Sequence, residues 1–398
     1  MHWQEEIEKN IMPRKVIVTI TFLFVVACSC SPVRTKDLAK LSVLKTRNLL
    51  DSSRAQAVFD RAQHFPNGTQ IALCFIIGDS EQYVGIERRN DSLVYIDNSD
   101  SVFEIGSITK TFTGTILAKL VRDGKVDINE PIKNILPIHL NQSSLHGKEI
   151  TLVQLANHTS GLPFEPGNVK NDKNHPFDPY NPYKYYTLEK LYDYLSHQLV
   201  LELTPGEKRI YSNLGGGLLG HILTLITGKS YEELLNETIC KPLDLHHTFT
   251  TLTDERIRQM VQGRDSQGQP LPFGDGDCGA LIGAGGIKSS VKDLVKYLKA
   301  NMTDTTYFYL AQKTTKVFDE HFSGSLGWGT YSVYGKHHVS AFGGTPGYTS
   351  GVMFERNARV GIVMLTNVSA YLASKGDYTD GLCKALYEQL PFTSERKD

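Results

Sequence analysis

The chain has 398 residues, 40% of them hydrophobic, enough to bury one large core or two smaller ones. Lys plus Arg number 42 and Asp plus Glu 43, a formal charge of -1 that gives no electrostatic footprint for nucleic acid. Outside the N-terminus no apolar run reaches about 18 residues, so a polytopic membrane protein is excluded, and composition excludes collagen, coiled coil and wholesale disorder.

Residues Val16 to Ala27 read VIVTITFLFVVA, the length of a signal-peptide apolar region, with Arg14 and Lys15 just before it. Glu5, Glu6 and Glu8 suit a signal n-region badly, so Met12 is expected to be the start; N-terminal mapping of the precursor tests this. The run ends in Val25-Val26-Ala27-Cys28, similar to a bacterial lipobox, which makes Cys28 the expected lipid anchor. Ordinary cleavage nearby and an uncleaved anchor are the alternatives. Residues 1–30 then form a signal and anchor region and 31–45 a polar tether, on an exported cell-envelope protein, periplasmic or membrane-anchored. Beyond Cys28 and Cys30, the cysteines Cys74, Cys240, Cys278 and Cys383 lie far apart, without CxxC or His at ligand spacing. No metal is expected; buried thiols or a single disulfide are.

From about Lys45 to Gln63 the apolar spacing suits a helix, stopped by Pro66-Asn67-Gly68. Thr69 to Ile77 and short runs up to Val102 read as strands. The stretch from about 107 to 300 is mostly helical pattern. Strands return at Gly327–Val333, His338–Phe342, Tyr348–Glu355 and Val360–Thr366, and a last helix is expected from about Ser369 to Gln389. Strands at both ends with helices between predict an α/β (α+β) fold. One antiparallel sheet is assembled from both ends of the chain and flanked by N- and C-terminal helices, with an all-helical unit beside it. The expected division is 46–106 with 287–398 for the sheet and 107–286 for the helices. Phe164 to Thr187, crowded with Pro, Asn, Asp and Tyr, is either a surface loop or the wall or lid of a cleft.

Three segments carry chemistry. In Phe103-Glu104-Ile105-Gly106-Ser107-Ile108-Thr109-Lys110, the serine opens an apolar helix, where the macrodipole favours anionic oxygen. Lys110, three residues on, shares its face and is within reach of Ser107 Oγ; a neutral lysine can take a hydroxyl proton. Ser-x-x-Lys also occurs at Ser42, Ser289 and Ser394, but only Ser107 follows a strand and a glycine. The second segment, Arg209-Ile210-Tyr211-Ser212-Asn213, precedes a glycine-rich helix start and holds the only Tyr-x-Asn in the chain. A phenolate costs less near a lysine ammonium, so Tyr211 is a candidate general base. Asn213 offers an amide to a substrate carbonyl. The third, Phe342-Gly343-Gly344-Thr345-Pro346-Gly347-Tyr348, ends a strand, where glycines admit a substrate backbone. The N–H groups of Gly344 and Ser107 are candidates for an oxyanion hole.

In this order the three segments resemble the serine β-lactamase and penicillin-binding-protein superfamily, in the class C β-lactamase and D-alanyl-D-alanine carboxypeptidase branch. His158-Thr159-Ser160-Gly161-Leu162-Pro163 and Gly283-Ala284-Gly285-Gly286 add to the likeness, which runs over roughly residues 50 to 390. The resemblance implies Ser107 as acylated nucleophile, Lys110 as its proton partner and Tyr211 as acid/base. Asn213, Gly343, Gly344 and Thr345 would lie along the substrate, and no cofactor is implied. It implies a β-lactam, cell-wall peptide or other small substrate, and the β-lactamase/transpeptidase fold.

One position departs. The family's third motif opens with Lys-Thr-Gly or His-x-Gly, and here Ala341 and Phe342 stand at its first two positions. Strand alternation turns Lys336 and His338 away from Ala341's side, and places His337 about 13 Å back along it. A carboxylate-free ester or amide therefore becomes a competing substrate, and Phe342 is expected to make the cleft more apolar. The function read from the sequence is a serine hydrolase working through an acyl-enzyme. The alternatives are an esterase of the same fold, or a penicillin-binding sensor with slow or no turnover.

Overall fold

The computed structural model describes residues 49–170, 175–273, 279–333, 336–370 and 379–392. The signal, the Cys28 anchor, the tether and Cys278 lie outside the described residues, as does part of the expected last helix.

Helix α1, Ser52–Ala62, is capped by Asp51, whose carboxylate accepts the Arg54 N–H at 2.8 Å. It buries Ala55, Val58, Phe59 and Ala62, the i, i+3, i+4, i+7 stripe of an amphipathic helix. Strands β1 (Gln70–Ile77), β2 (Ser80–Arg89) and β3 (Ser92–Ile96) follow as a meander, and β4 (Val102–Glu104) leads to the Ser107 segment. After the helical stretch come β5 (Lys288–Ser290), β6 (Lys316–Val317), β7 (Phe322–Gly324), β8 (Gly329–Val333), β9 (Lys336–Gly344), β10 (Thr349–Glu355) and β11 (Val360–Thr366). The main sheet runs β3-β2-β1-β11-β10-β9-β8-β7-β6 and is antiparallel throughout. Its seam is β1 against β11, with Cys74 opposite Val363, so the two ends of the chain meet in the centre of the sheet. Strands β4 and β5 pair separately.

Six consecutive buried residues, Ile71 to Ile76, read as an unbroken apolar run because both faces of β1 are covered. Ile71, Leu73 and Phe75 pack with α1 and the last helix, Thr379–Tyr387, which contributes Leu382, Cys383 and Leu386. Ala72, Cys74 and Ile76 face the helical side, where helix α2 (Thr109–Arg122) buries Phe112, Ile116 and Leu117. Each such aliphatic or aromatic side chain contributes about 1.5–3 kcal/mol on burial. Cys74, Cys240 and Cys383 are free and buried. Burial pushes the Cys74 and Cys240 thiols up to about 12, so neither is a nucleophile near neutral pH. Among the described residues no helix is long and apolar enough to cross a membrane.

The four late strands expected from the sequence are β8 to β11, with β9 longer than read. The last described helix begins at Thr379; Ser369 and Ala370 precede it without being helical in the α sense. Strands β6 and β7, two and three residues long, were not expected, because so short a run has no alternation to detect.

Candidate active site

Ser107 sits in a 3-10 turn, Gly106–Ile108, that runs directly into α2. Gly106 holds φ +48, and a Cβ on it would stand 2.7 Å from the Gly344 nitrogen. A Cβ on Gly343 would in turn lie 2.9 Å from the Ser107 nitrogen. Glycines at 106 and 343 thus let β9 and the serine turn approach backbone to backbone, and bring the Ser107 and Gly344 nitrogens to one side of the site. Ser350 Oγ locks the approach by donating to the Ile105 carbonyl at 2.8 Å.

Lys110 is buried at 5% exposure, and its amine reaches three oxygens: Ser107 Oγ at 3.0 Å, Asn213 Oδ1 at 2.8 Å and the Ala284 carbonyl at 2.7 Å. Tyr211 Oη lies 2.6 Å from the same Ser107 Oγ. Asn213 Oδ1 and the Ala284 carbonyl can only accept, so two N–H bonds of Lys110 are committed to them. The third position on Nζ, aimed at Oγ, carries a proton in the ammonium and a lone pair in the amine. Tyr211 Oη correspondingly accepts from Oγ as phenolate or donates to it as phenol. Nζ and Oη both stand at hydrogen-bond distance from the serine oxygen, so either is placed to take its proton when it lacks its own.

The Tyr211 segment is held from one side by the His158–Pro163 turn. The Ile210 N–H donates to the His158 carbonyl at 2.9 Å and the Ser212 N–H to His158 Nδ1 at 3.2 Å. Ser212 Oγ donates to the Pro163 carbonyl at 2.6 Å and caps helix α3, Asn213–Thr227. His158 adopts a left-handed φ of +63 and lays its ring 4.4 Å from that of Tyr211. Burial first, then the Arg209 and Lys110 charges, hold its pKa well below the ordinary imidazole value, so it is neutral with Nδ1 accepting. The folded protein therefore refuses a proton that the unfolded chain takes up below pH ~6.5. Stability from this site is fully present above that pH and falls on acidification, by as much as about 1.4 kcal/mol per pH unit. His158→Gln is expected to flatten the fall in Tm between pH 7 and pH 5; an unchanged slope refutes this.

In the first turn of α3, Gly216 leaves the space that the Lys110 side chain occupies. A Cβ on Gly216 would meet Lys110 Cε at 3.0 Å and its Cδ and Cγ at 3.3 Å. Gly216→Val is expected to displace the amine and slow Ser107 acylation about 10²-fold, the order associated with a misplacement near 1 Å. Acylation at the wild-type rate by a folded variant would contradict that.

The loop after Pro163 borders the site. Asn213 N–H donates to the Phe164 carbonyl at 2.8 Å, and the Phe164 ring, 46% exposed, stands 6.2 Å from Tyr211. Tyr183 Oη is 3.4 Å from Asn213 Nδ2 and 3.3 Å from a Glu165 carboxylate oxygen. Residues 171–174 of this loop lie outside the described residues. Thr345, also expected beside the substrate, turns the chain after β9; its hydroxyl is buried with no described hydrogen-bond partner.

One expectation changes. Phe342 does not line the cleft: it packs with Met353, Cys383 and Leu386 on the opposite face of the sheet, with Lys384 5.4 Å from its ring. Strand alternation forces this, since Ala341 faces the helical side. Asn213 Oδ1 accepts from Lys110 at 2.8 Å, and its Nδ2 donates to Tyr183 Oη at 3.4 Å. Strand β9 supplies no cation at the site: Lys336 Nζ donates to the Phe392 carbonyl at 3.2 Å, His338 Nδ1 is 3.0 Å from Tyr387 Oη, and exposed His337 is 3.0 Å from Ser332 Oγ. No role for His158, the Ala284 carbonyl or Gly216 is legible in the sequence. The first and second stood within motifs noted only as family phrases, and a backbone acceptor leaves no mark in side-chain chemistry.

The β-lactamase family profile matches residues 95–379, which include Ser107, Lys110, Tyr211, Asn213 and Gly344. The chain belongs to the β-lactamase family. It is 31% identical to the D-alanyl-D-alanine-carboxypeptidase/endopeptidase AmpH of Escherichia coli (strain K12), over 67% of this chain and 67% of that protein. It is 31% identical to a β-lactamase of Pseudomonas fluorescens over 58% of this chain, an alignment spanning 59% of that relative's length. Among solved structures, a β-lactamase/D-alanine carboxypeptidase from Yersinia pestis, complexed with citrate, superposes with a TM-score of 0.66 at 23% identity. It covers 84% of this chain and 98% of that one. Its counterpart from Pseudomonas syringae gives 0.67 at 20% identity, covering 86% and 99%. The two agree with the antiparallel sheet and flanking helices of this family member.

Proposed function

We propose that this β-lactamase family member is a serine hydrolase of the class C type, acting on an amide, β-lactam or peptide through a Ser107 acyl-enzyme. The observation that carries the reading is the convergence of Lys110 Nζ and Tyr211 Oη on one serine oxygen, at 3.0 and 2.6 Å. The Ser107 proton passes to this pair as Oγ bonds the substrate carbonyl carbon. The Ser107 and Gly344 N–H groups meet the developing oxyanion, and Asn213 Nδ2 holds the substrate amide. As the carbonyl–nitrogen bond breaks, the leaving nitrogen takes its proton from Tyr211. Water then gives a proton to Tyr211 as it attacks the ester carbonyl, and Tyr211 returns that proton to Ser107 Oγ as the acyl–oxygen bond breaks.

The named activities of the relatives, lactam and D-Ala-D-Ala hydrolysis, support this substrate class. Ala341 favours a second reading, a sensor that acylates with slow or no turnover, or an esterase for uncarboxylated substrates. The intact mass of the protein, followed after mixing with a chromogenic β-lactam, decides. A transient adduct with coloured product is the expected result, and a permanent adduct means the sensor. No adduct with the lactam but labelling of Ser107 by a fluorophosphonate means an esterase. The reading also takes the protein to be exported and lipid-anchored at Cys28; a mature protein lacking an acylated Cys28 N-terminus by mass would reject the anchor.

A further inference from the structure

Arg209 precedes Tyr211 by two residues in a non-helical segment, and its guanidinium carbon stands 5.9 Å from the Tyr211 ring centroid. It also stands 5.3 Å from the ring of Phe322 in β7, which in turn packs 4.8 Å from Tyr331 of β8. Arg209 is exposed, and among the described residues it has neither a carboxylate partner nor a hydrogen bond. Its contacts are with ring faces, which leave the N–H groups at the edge of the guanidinium plane available. Crowding by these neighbours desolvates the group and lowers its pKa, while the nearby phenols oppose that; it stays charged at any physiological pH. The site therefore has a forked cation beside its acid/base, and none at Ala341.

We propose that Arg209 is the specificity-determining cation of this enzyme, binding a carboxylate on the leaving-group side of the substrate in place of the absent strand residue. The inference rests on the hydrolase reading above. Its chemistry follows from connectivity: Tyr211 protonates the leaving nitrogen, and in a peptide ending in a free amino acid the carboxylate sits one carbon from that nitrogen. In a bicyclic lactam the ring carboxylate is likewise attached to the carbon next to the lactam nitrogen. A cation adjacent to the proton donor is therefore adjacent to the carboxylate. A guanidinium presents two parallel N–H bonds to it, a match an ammonium lacks. Phe322 and Tyr331 hold the fork from below and supply the apolar surface on which the remainder of the leaving group lies.

The test compares a chromogenic cephalosporin carrying its free carboxylate with the same molecule as its methyl ester, reading the second-order rate of Ser107 acylation by intact mass. The wild-type enzyme is expected to prefer the acid, and Arg209→Met to lower the acid-to-ester ratio about tenfold, the order one charge-assisted hydrogen bond supports. Arg209→Lys is expected to fall between them. A ratio that Arg209→Met leaves unchanged overturns the proposal, including the case where both rates drop together through damage to Tyr211. Labelling of Ser107 by a fluorophosphonate but by neither lactam overturns it as well. Absence of labelling by all three reagents is the separate failure of the hydrolase reading.

Discussion

Ser107→Ala is expected to abolish the covalent adduct and to reduce hydrolysis on the order of 10⁴- to 10⁶-fold, the scale on which deleting a serine nucleophile acts. The loss should reside in kcat, because the Ser107 and Gly344 nitrogens and the Asn213 amide remain to bind substrate. The fold should be unaffected, since among the described residues the Oγ is hydrogen-bonded to Lys110 and Tyr211 alone, at 3.0 and 2.6 Å. A Ser107→Ala protein that hydrolysed at the wild-type rate would place the chemistry on another residue. Comparing its Tm with the wild type separates loss of chemistry from loss of structure.

Tyr211→Phe is the second large effect. It removes one oxygen and leaves the ring packed on His158, whose centroid lies 4.4 Å away. Proton transfer to the leaving nitrogen and from the attacking water then lacks its carrier, and both acylation and deacylation are expected to slow by about 10²- to 10⁴-fold. Lys110, held by Asn213 Oδ1 and the Ala284 carbonyl, is then the remaining base candidate, and the expected slowing means that it does not replace the tyrosine in activating the water. The acyl-enzyme of the variant should therefore persist long enough to be seen as a stable adduct by mass. If acylation is slow but the adduct still decays at the wild-type rate, the water is activated by another group.

Much of this was legible in the residues alone. Ser107 with Lys110, Tyr211 with Asn213, and Gly343 with Gly344 are short local phrases, and each was expected in a site before the fold could be seen. The sheet built from both chain ends followed from where β-patterned segments occur. What sequence spacing could not supply was the third dimension of contacts. Phe342 was placed in the cleft because it follows Ala341, yet adjacency in a strand means opposite faces. Arg209 was quoted only as part of the tyrosine segment; its significance depends on Phe322, a residue more than a hundred positions later in a strand too short to announce itself. His158 lies in a turn whose value is that its carbonyl accepts from Ile210 N–H and its Nδ1 from Ser212 N–H, contacts that depend on the chain path bringing the two segments together.

The seam between β1 and β11 has a consequence for how the molecule comes to exist. The strand that completes β1's pairing lies far along the chain, after the whole helical stretch, and closing so large a loop is entropically unfavourable until other contacts are available to reward it. During synthesis β1 has only the β2–β3 meander to pair with, and Ile71 to Ile76 lack the second neighbour and the terminal helix that bury them. The growing chain is thus kept from its finished state until its far end arrives. Formation of the β1–β11 seam is therefore expected as a late, cooperative step of folding.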